Sequence, residues 1–246
     1  DDVYDIVIDA SHCGADTGAK TKDYTEADLV LKCAKELKQK LENYGYKVFL
    51  TRDGTESSSA NMATNMYDEN GRINTAQESH SKILISLNIN DATSKKGGVE
   101  VYAPTLCNLD FAKLLASNIV KTAKTSYSSV NSFKKANGVY VRYFTNIDIL
   151  GFKSNAILRK YEPYNITNST PYLYMIREVG GIATGAYVDG RNKSYGTNKY
   201  YNSNVGIESY VVELGYMKVE KDLKNIVKNY GLYAQAIADA INEFYK

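Results

Sequence analysis

Short apolar runs alternate with amphipathic stretches along most of this chain, and the two periodicities read as strands and helices in turn. Tyr4 to Asp9 (YDIVID) is β-branched and gives way to the polar loop ASHCGADTGAKTKDY, the pattern of a buried strand feeding a long loop. Leu29, Cys33, Leu37 and Leu41 then recur every four residues behind Thr25, a good N-cap with Asp28 three positions on, and Gly45 closes the helix. YKVFLT (Tyr46 to Thr51) is a second strand, and a polar Ser/Asn-rich stretch leads to a helix near Gly71 to Ser81. Ile83 to Leu87 (ILISL) is apolar on both faces, as a central parallel strand covered by helices requires. Gly98 to Ala103 (GVEVYA) is a further strand, followed by a helix around Leu109 to Ala123.

The alternation then breaks for about 80 residues, roughly 125–205, rich in Tyr, Asn, Gly and Ser. Structureless loops of that length are uncommon inside compact domains unless they serve a site, so short strands and helices packed on one face of the sheet are expected there. YVVELGY (Tyr210 to Tyr216) restores a buried strand, and Tyr230 to Tyr245, with Ile237, Ile241 and Phe244 on one stripe, reads as a closing amphipathic helix. The fold class is α/β: a wound, mostly parallel sheet covered by helices, with one insertion and no internal repeat. At 246 residues and 43% apolar content, residues 1–246 are expected to form one domain.

Thirty Lys and Arg against 28 Asp and Glu leave a net charge of only +2, which argues against a dedicated nucleic-acid binder or a polybasic membrane-surface protein. No apolar run approaches the roughly 18 to 20 residues of a membrane span. The chain opens on Asp1-Asp2 without Met, basic n-region or apolar h-region, and so reads as the trimmed part of a longer precursor. Cys13, Cys33 and Cys107 form neither a disulfide framework nor a metal knuckle; Cys33 is expected in the core. The 22 Tyr with no Trp suit a saccharide or peptide groove, but biased base composition accounts for them equally well.

In an open wound sheet, ligands bind beyond the carboxyl ends of the parallel strands, which singles out His12 after YDIVID, Asn88 after ILISL, and Glu213 near the end of YVVEL. Glu26, in the first turn of the first helix, joins them. Glu213 is an acid inside an otherwise apolar strand, which is costly to bury without purpose. Arg177 and Glu178, before the Gly180-Gly181 turn, read as a groove wall able to grip a peptide carboxylate, or equally as a salt bridge.

The stretches IVIDASHCGADTGA, YTEADL, GRINTAQESHSKILISLNIN, GGVEVY and VVELGY, in this order, resemble the zinc-dependent N-acetylmuramoyl-L-alanine amidases of bacterial cell-wall turnover. The resemblance implies that His12 and Glu26 are zinc ligands and Glu213 the general base. The fourth zinc position would hold a water whose pKa falls to about 7, ready to attack the amide between the muramic acid lactyl group and L-alanine. It also implies a peptidoglycan or muropeptide substrate, a secreted or wall-associated location and a monomer. Two departures stand out. The family's third ligand, a His, falls on Asn88, a neutral amide that suits zinc poorly. Where the family has Pro-Gly-His-Gly-Gly, this chain reads Ala10-Ser11-His12-Cys13-Gly14. His80 belongs at the wrong end of the third strand to substitute; Cys13, Asp16 and Asp91 are the fallback ligands, and a Cys13–His12 nucleophile pair is the remaining catalytic alternative. The non-enzymatic alternative is a zinc-deficient amidase-like domain that binds peptidoglycan or a protein partner.

Overall fold

The computed structural model describes residues 2–60, 71–105, 107–155, 166–180 and 207–246. The chain opens with β1 (Ile6–Ala10), and α1 (Glu26–Asn43) starts where the side chain of Thr25 accepts the amide of Asp28 at 3.2 Å. Leu29, Cys33, Leu37 and Leu41 are all buried along α1, the stripe their spacing predicts. β2 (Val48–Leu50), α2 (Arg72–Glu78) and β3 (Ile83–Asn90) follow, then β4 (Glu100–Tyr102) and α3 (Asp110–Ala123). β5 (Lys134–Ala136), β6 (Val139–Tyr140), α4 (Asn146–Ser154) and a π-helical turn at Met175–Val179 lead to β7 (Glu208–Tyr216) and α5 (Glu220–Tyr245).

The seven strands form one mixed sheet in the order β2-β1-β3-β7-β4-β6-β5. The first four run parallel, and β4 reverses against β7. Ile6, Ile8, Ala10, Ile85, Leu87, Val101, Tyr210 and Val212 point to the face covered by α1, α3 and α5, where the larger core lies. Val7, Leu84 and Val211 point the other way and pack with Ile73 and Ala76 of α2 and with Met175, Ile176 and Val179 of the π turn. The strict period of two along each strand thus separates a wholly apolar face from one that can carry chemistry.

Three expectations are corrected. The closing helix begins at Glu220, not Tyr230, and the non-helical Asn229 (φ −125°) kinks it. Phe244 is 43% exposed and lies against Phe111 with ring centroids 5.2 Å apart, at the rim of the core and not within it. The β5–β6 hairpin, expected to pack on a face of the sheet, extends its edge through parallel pairing of β6 with β4. Residues 156–165 and 181–206, which take up much of the 125–205 stretch and include Gly181 of the expected glycine turn, lie outside the described residues.

Candidate functional site

Toward the carboxyl ends of β1, β3 and β7 the second face turns polar. Asp9, the fourth residue of β1, is fully buried, and its carboxylate is gripped by Arg72 at the start of α2 through Nε (3.0 Å) and Nη2. Ser86 Oγ donates to the same carboxylate at 2.6 Å and Thr51 Oγ1 at 2.9 Å. Burial alone would raise the Asp9 pKa; the Arg72 charge and these donors outweigh it and hold the carboxyl below its ordinary value. Arg72 also donates to Tyr174, which ties α2 to the segment before the π turn.

His12 sits just past β1 with φ 62°, a left-handed conformation that costs a non-glycine residue about 1–2 kcal/mol. Its ring is bracketed by two acids. Nδ1 is 2.8 Å from Asp16 Oδ2, and Nε2 is 3.3 Å from Glu26 Oε2. Asp16 accepts, so the network assigns a proton to Nδ1 and leaves Nε2 facing a second carboxylate, a position that calls for a further proton or a cation. Burial would lower the His12 pKa, but the hydrogen bond and charge of Glu26, and then those of Asp16, raise it. Glu26 is itself pinned: Oε1 accepts Ile89 N (2.8 Å) and Ser11 Oγ (3.2 Å), and Oε2 accepts Ala19 N (2.9 Å). Gly18 (φ +62°) permits this closeness, because a Cβ there would lie 2.5 Å from both Glu26 Oε2 and His12 Cδ2.

Asn88, Glu213 and Glu100 form a row across three strands. Asn88 is in register with Glu213 in the parallel β3–β7 pair, and Glu213 with Glu100 in the antiparallel β4–β7 pair, so the three side chains share one face. Beyond this row the β3–β7 register shifts, Asn90 pairing with Tyr216. Asn88 Nδ2 donates to Ser86 O and Ser86 Oγ, both at 3.1 Å. Glu213 Oε2 is buried with no hydrogen-bond partner, and burial, then the negative charges of Glu26 and Glu100, push its pKa well above the ordinary value. Glu100 is buried and accepts four hydrogen bonds, from Ser128 Oγ (2.8 Å), Tyr216 OH, Tyr102 OH (3.0 Å) and Asn90 Nδ2 (3.3 Å).

The remaining residues singled out from the sequence are spread around this centre. Cys13 is buried in the loop, and Asp91 is an exposed surface acid 3.3 Å from Lys218. His80 precedes β3, at the end of that strand opposite Asn88. Arg177 and Glu178 are buried in the π turn, with Arg177 donating to the carbonyls of Pro171 (3.0 Å) and Tyr172 and lying 3.4 Å from Glu178. Of the two readings open from the sequence, this is the salt bridge, buried in the packing and not on a groove wall. Cys33 is in the core, where burial drives its thiol up to about 12. The sequence reading missed Glu100 and Asp9 as site residues. The signal for Glu100 was the one that found Glu213, an acid in an otherwise apolar strand.

The fit of this site to zinc can be tested on its spacing. Two ligands of one tetrahedral zinc, each bonded at about 2.0–2.2 Å, stand roughly 3.3–3.6 Å apart. The 3.3 Å between His12 Nε2 and Glu26 Oε2 matches that edge. A third ligand is lacking: among the described residues no group of three or more His, Cys, Asp or Glu side chains converges on one point. The donor set among the described residues therefore falls short of a zinc site.

No curated protein sequence matches the chain. Solved structures do. AmiC2, an N-acetylmuramoyl-L-alanine amidase of Nostoc punctiforme, superposes with a TM-score of 0.59 at 19% identity, covering 98% of this chain and 96% of its own. The CwlD amidase from Clostridioides difficile, solved in complex with the GerS lipoprotein, gives 0.61 at 18% identity with 98% of both chains covered. Ami1 from Mycobacterium abscessus gives 0.60 at 14% identity over the whole of both chains. At these identities the likeness is one of fold. The sequence model of the N-acetylmuramoyl-L-alanine amidases matches residues 6–243, and the chain belongs to that family.

Proposed function

We propose that this chain is an amidase-family domain, spanning residues 1–246, that holds zinc weakly or not at all and binds peptidoglycan without efficiently cleaving it. One observation carries the reading. Of the three ligand positions the family implies, His12 and Glu26 converge, whereas the third is Asn88, whose amide nitrogen is committed to Ser86. We assign Arg177 and Glu178 to packing, and read the Tyr/Asn/Gly-rich stretch at 125–205 as an elaboration of the family fold. Membership of the family supports a cell-wall or extracellular location; among the described residues no helix is long and apolar enough to cross a membrane. The complex of the CwlD amidase with a lipoprotein is a precedent for protein docking by this fold.

A second reading, residual zinc-dependent hydrolysis, is favoured by the 3.3 Å spacing of His12 Nε2 and Glu26 Oε2. One experiment separates the two. Bound zinc, retention on purified sacculi and release of stem peptide are measured for this chain and for Asn88→His. Retention without stoichiometric zinc or turnover, with zinc recovered in Asn88→His, is the expected result. Full zinc occupancy and turnover in the unaltered chain would make it an ordinary amidase.

A further inference from the structure

A cavity lies at the end of the sheet away from Asn88 and Glu213. β4 begins at Glu100, opposite Glu213, and runs against β7, so the chain past Tyr102 leaves the candidate site behind. Beyond β4 and its parallel neighbour β6, a space of about 330 Å³ opens between Leu109, Lys135, Val141, Tyr143, Asn168 and Ser169. That is the low end of the roughly 300–1,000 Å³ of small-ligand sites, room for one sugar ring. Its walls are held in place. The turn at 167–170 is stapled to the chain after β6 by Phe144 N donating to Thr170 O (3.0 Å) and Tyr172 N to Arg142 O (2.9 Å). Asn168 Nδ2 donates to Phe144 O (3.2 Å) and Asn146 Oδ1 (3.0 Å). Phe144 O can only accept, so Nδ2 faces it, and Oδ1, without a partner among the described residues, is the acceptor Asn168 has left for a ligand.

Lys135 owes its place to an irregularity of β5. Lys134 pairs with Tyr140 and Ala136 with Val139, so two steps of β5 match one of β6 and Lys135 is the bulged residue. A bulge takes a side chain out of the alternation of its strand and re-aims it. Arg142, the other cation here, is already engaged: it lies over the rings of Phe133 (4.4 Å) and Tyr172 (3.9 Å) and donates to Asp148 at 2.8 Å. Among the described residues, Lys135 makes no ion pair and no acid lines the cavity.

We propose that this cavity binds a sugar ring carrying one free carboxylate. Lys135 pairs with the carboxylate, the side chains of Leu109 and Val141 and the ring of Tyr143 cover the apolar C–H face of the sugar, and Asn168 Oδ1 and the Ser169 hydroxyl bond its N–H and O–H groups. A single cation with no acid beside it sets the ligand's charge, and the apolar floor suits a ring better than a bare anion. In peptidoglycan this describes muramic acid without its stem peptide. While the stem is attached the lactyl carboxyl is an uncharged amide; adding water across that amide leaves the carboxylate on the sugar and the amine on L-alanine. The cavity therefore takes glycan already stripped of stems, and the reaction that supplies it is the hydrolysis of that amide. The source of the ligand rests on the peptidoglycan-binding reading above, while the site is separate from the cleft that reading concerns.

The test uses the whole chain with N-acetylmuramic acid and N-acetylglucosamine, which differ by the lactyl carboxylate. Cys107 lines the same cavity and is half-buried, whereas Cys13 and Cys33 are buried, so the rate of its labelling by a maleimide reports occupancy. N-acetylmuramic acid is expected to protect Cys107 at about three- to tenfold lower concentration, the worth of a charge-assisted hydrogen bond at a half-open site. In Lys135→Gln that preference disappears, and Lys135→Arg keeps it; Lys135 is exposed, so neither change disturbs the core. Calorimetric titration reads the same affinities without the thiol. Equal protection by the two sugars, a preference that survives in Lys135→Gln, or equal binding of N-acetyl-D-alanine, a carboxylate without the ring, overturns the proposal. Retention on intact sacculi and on sacculi stripped of stems is measured in parallel, with the stripped material expected to be held more tightly. Retention with no preference for the acidic sugar sinks this inference alone. A preference for the acidic sugar with no retention on either material sinks the functional reading and the ligand source named here.

Discussion

Glu100 and Glu213 face each other in register across the antiparallel pair β4–β7, two acids in the interior of one sheet. Their environments differ sharply. Glu100 accepts four hydrogen bonds, whereas one oxygen of Glu213 has none. Burial, and then the negative charges of Glu26 and Glu100, raise the Glu213 pKa well above its ordinary value.

The first prediction concerns this asymmetry. In Glu100→Gln one of the negative charges acting on Glu213 is removed, so the Glu213 pKa falls toward its ordinary value while remaining above it, because burial is the larger cause. Carboxyl-carbon NMR titration reads this directly. The linked stability follows in sign. A carboxyl with a raised folded pKa contributes stability that is complete below its ordinary value of 4.5 and is lost as pH rises through the folded pKa. Urea midpoints of the unaltered chain should therefore decline on the alkaline side of that window, and Glu213→Gln should flatten the decline. An unchanged slope in Glu213→Gln would mean that another group sets it.

A second prediction concerns Arg72 and Asp9. Arg72→Leu leaves a fully buried carboxylate without its cation, a loss of about 3–5 kcal/mol. Asp9→Asn with Arg72→Leu should recover much of that, because the charge is removed with its partner. Asp9 has a lowered pKa, so its contribution is present above 3.8 and disappears as pH falls through the folded value. Urea unfolding at pH 6 and pH 3 should show the single variant's deficit shrinking in acid. A deficit of the same size at both values would place the effect in packing and not in charge.

The periodic elements were legible from the sequence. The stripe of α1, its Thr25 cap, the double-sided apolar β3 and the acid in β7 follow from local rules, and the structure places all of them as expected. The partners were not legible. That Asn88, Glu213 and Glu100 form a row depends on which strands are neighbours, and β4 inserts beside β7 in reversed direction, a choice no local pattern encodes. For Arg177 and Glu178 a groove wall and a salt bridge read equally well from the sequence; the π turn buries both side chains 3.4 Å apart, with carbonyls of Pro171 and Tyr172 taking up the guanidinium. Asp16 was read as a fallback ligand, and its bond to His12 Nδ1 makes it the residue that orients the ring.

The third prediction tests the end of α3. Its C-cap, Lys124, adopts φ 54° and ψ 46°, the left-handed conformation that glycine enters without a Cβ penalty. Lys124→Gly should stabilise the chain by about 0.5–1 kcal/mol, the conformational relief exceeding the added freedom of the unfolded state. A higher urea midpoint with an unchanged slope supports this, and a lower one would mean that the Lys124 side chain supplies more than its backbone costs.

The last prediction returns to His12 and Glu26. Gly18→Ala combines two penalties: a left-handed φ of +62°, and a Cβ placed 2.5 Å from both Glu26 Oε2 and His12 Cδ2. Glu26 cannot retreat cheaply, because Ile89 N, Ser11 Oγ and Ala19 N all hold it, so His12 must yield. Gly45 provides the control, with φ +92° and nothing within 4 Å of its Cβ position, so that Gly45→Ala carries the backbone term alone. The expected loss is about 1 kcal/mol for Gly45→Ala and at least about 2 kcal/mol for Gly18→Ala, the difference measuring how tightly the pair is packed. Imidazole NMR should also show the His12 pKa falling in Gly18→Ala, since Glu26 is the larger of the two acids' contributions raising it. Equal losses in the two variants, with His12 unmoved, would mean that the 3.3 Å approach of Nε2 to Oε2 does not depend on a missing side chain at position 18.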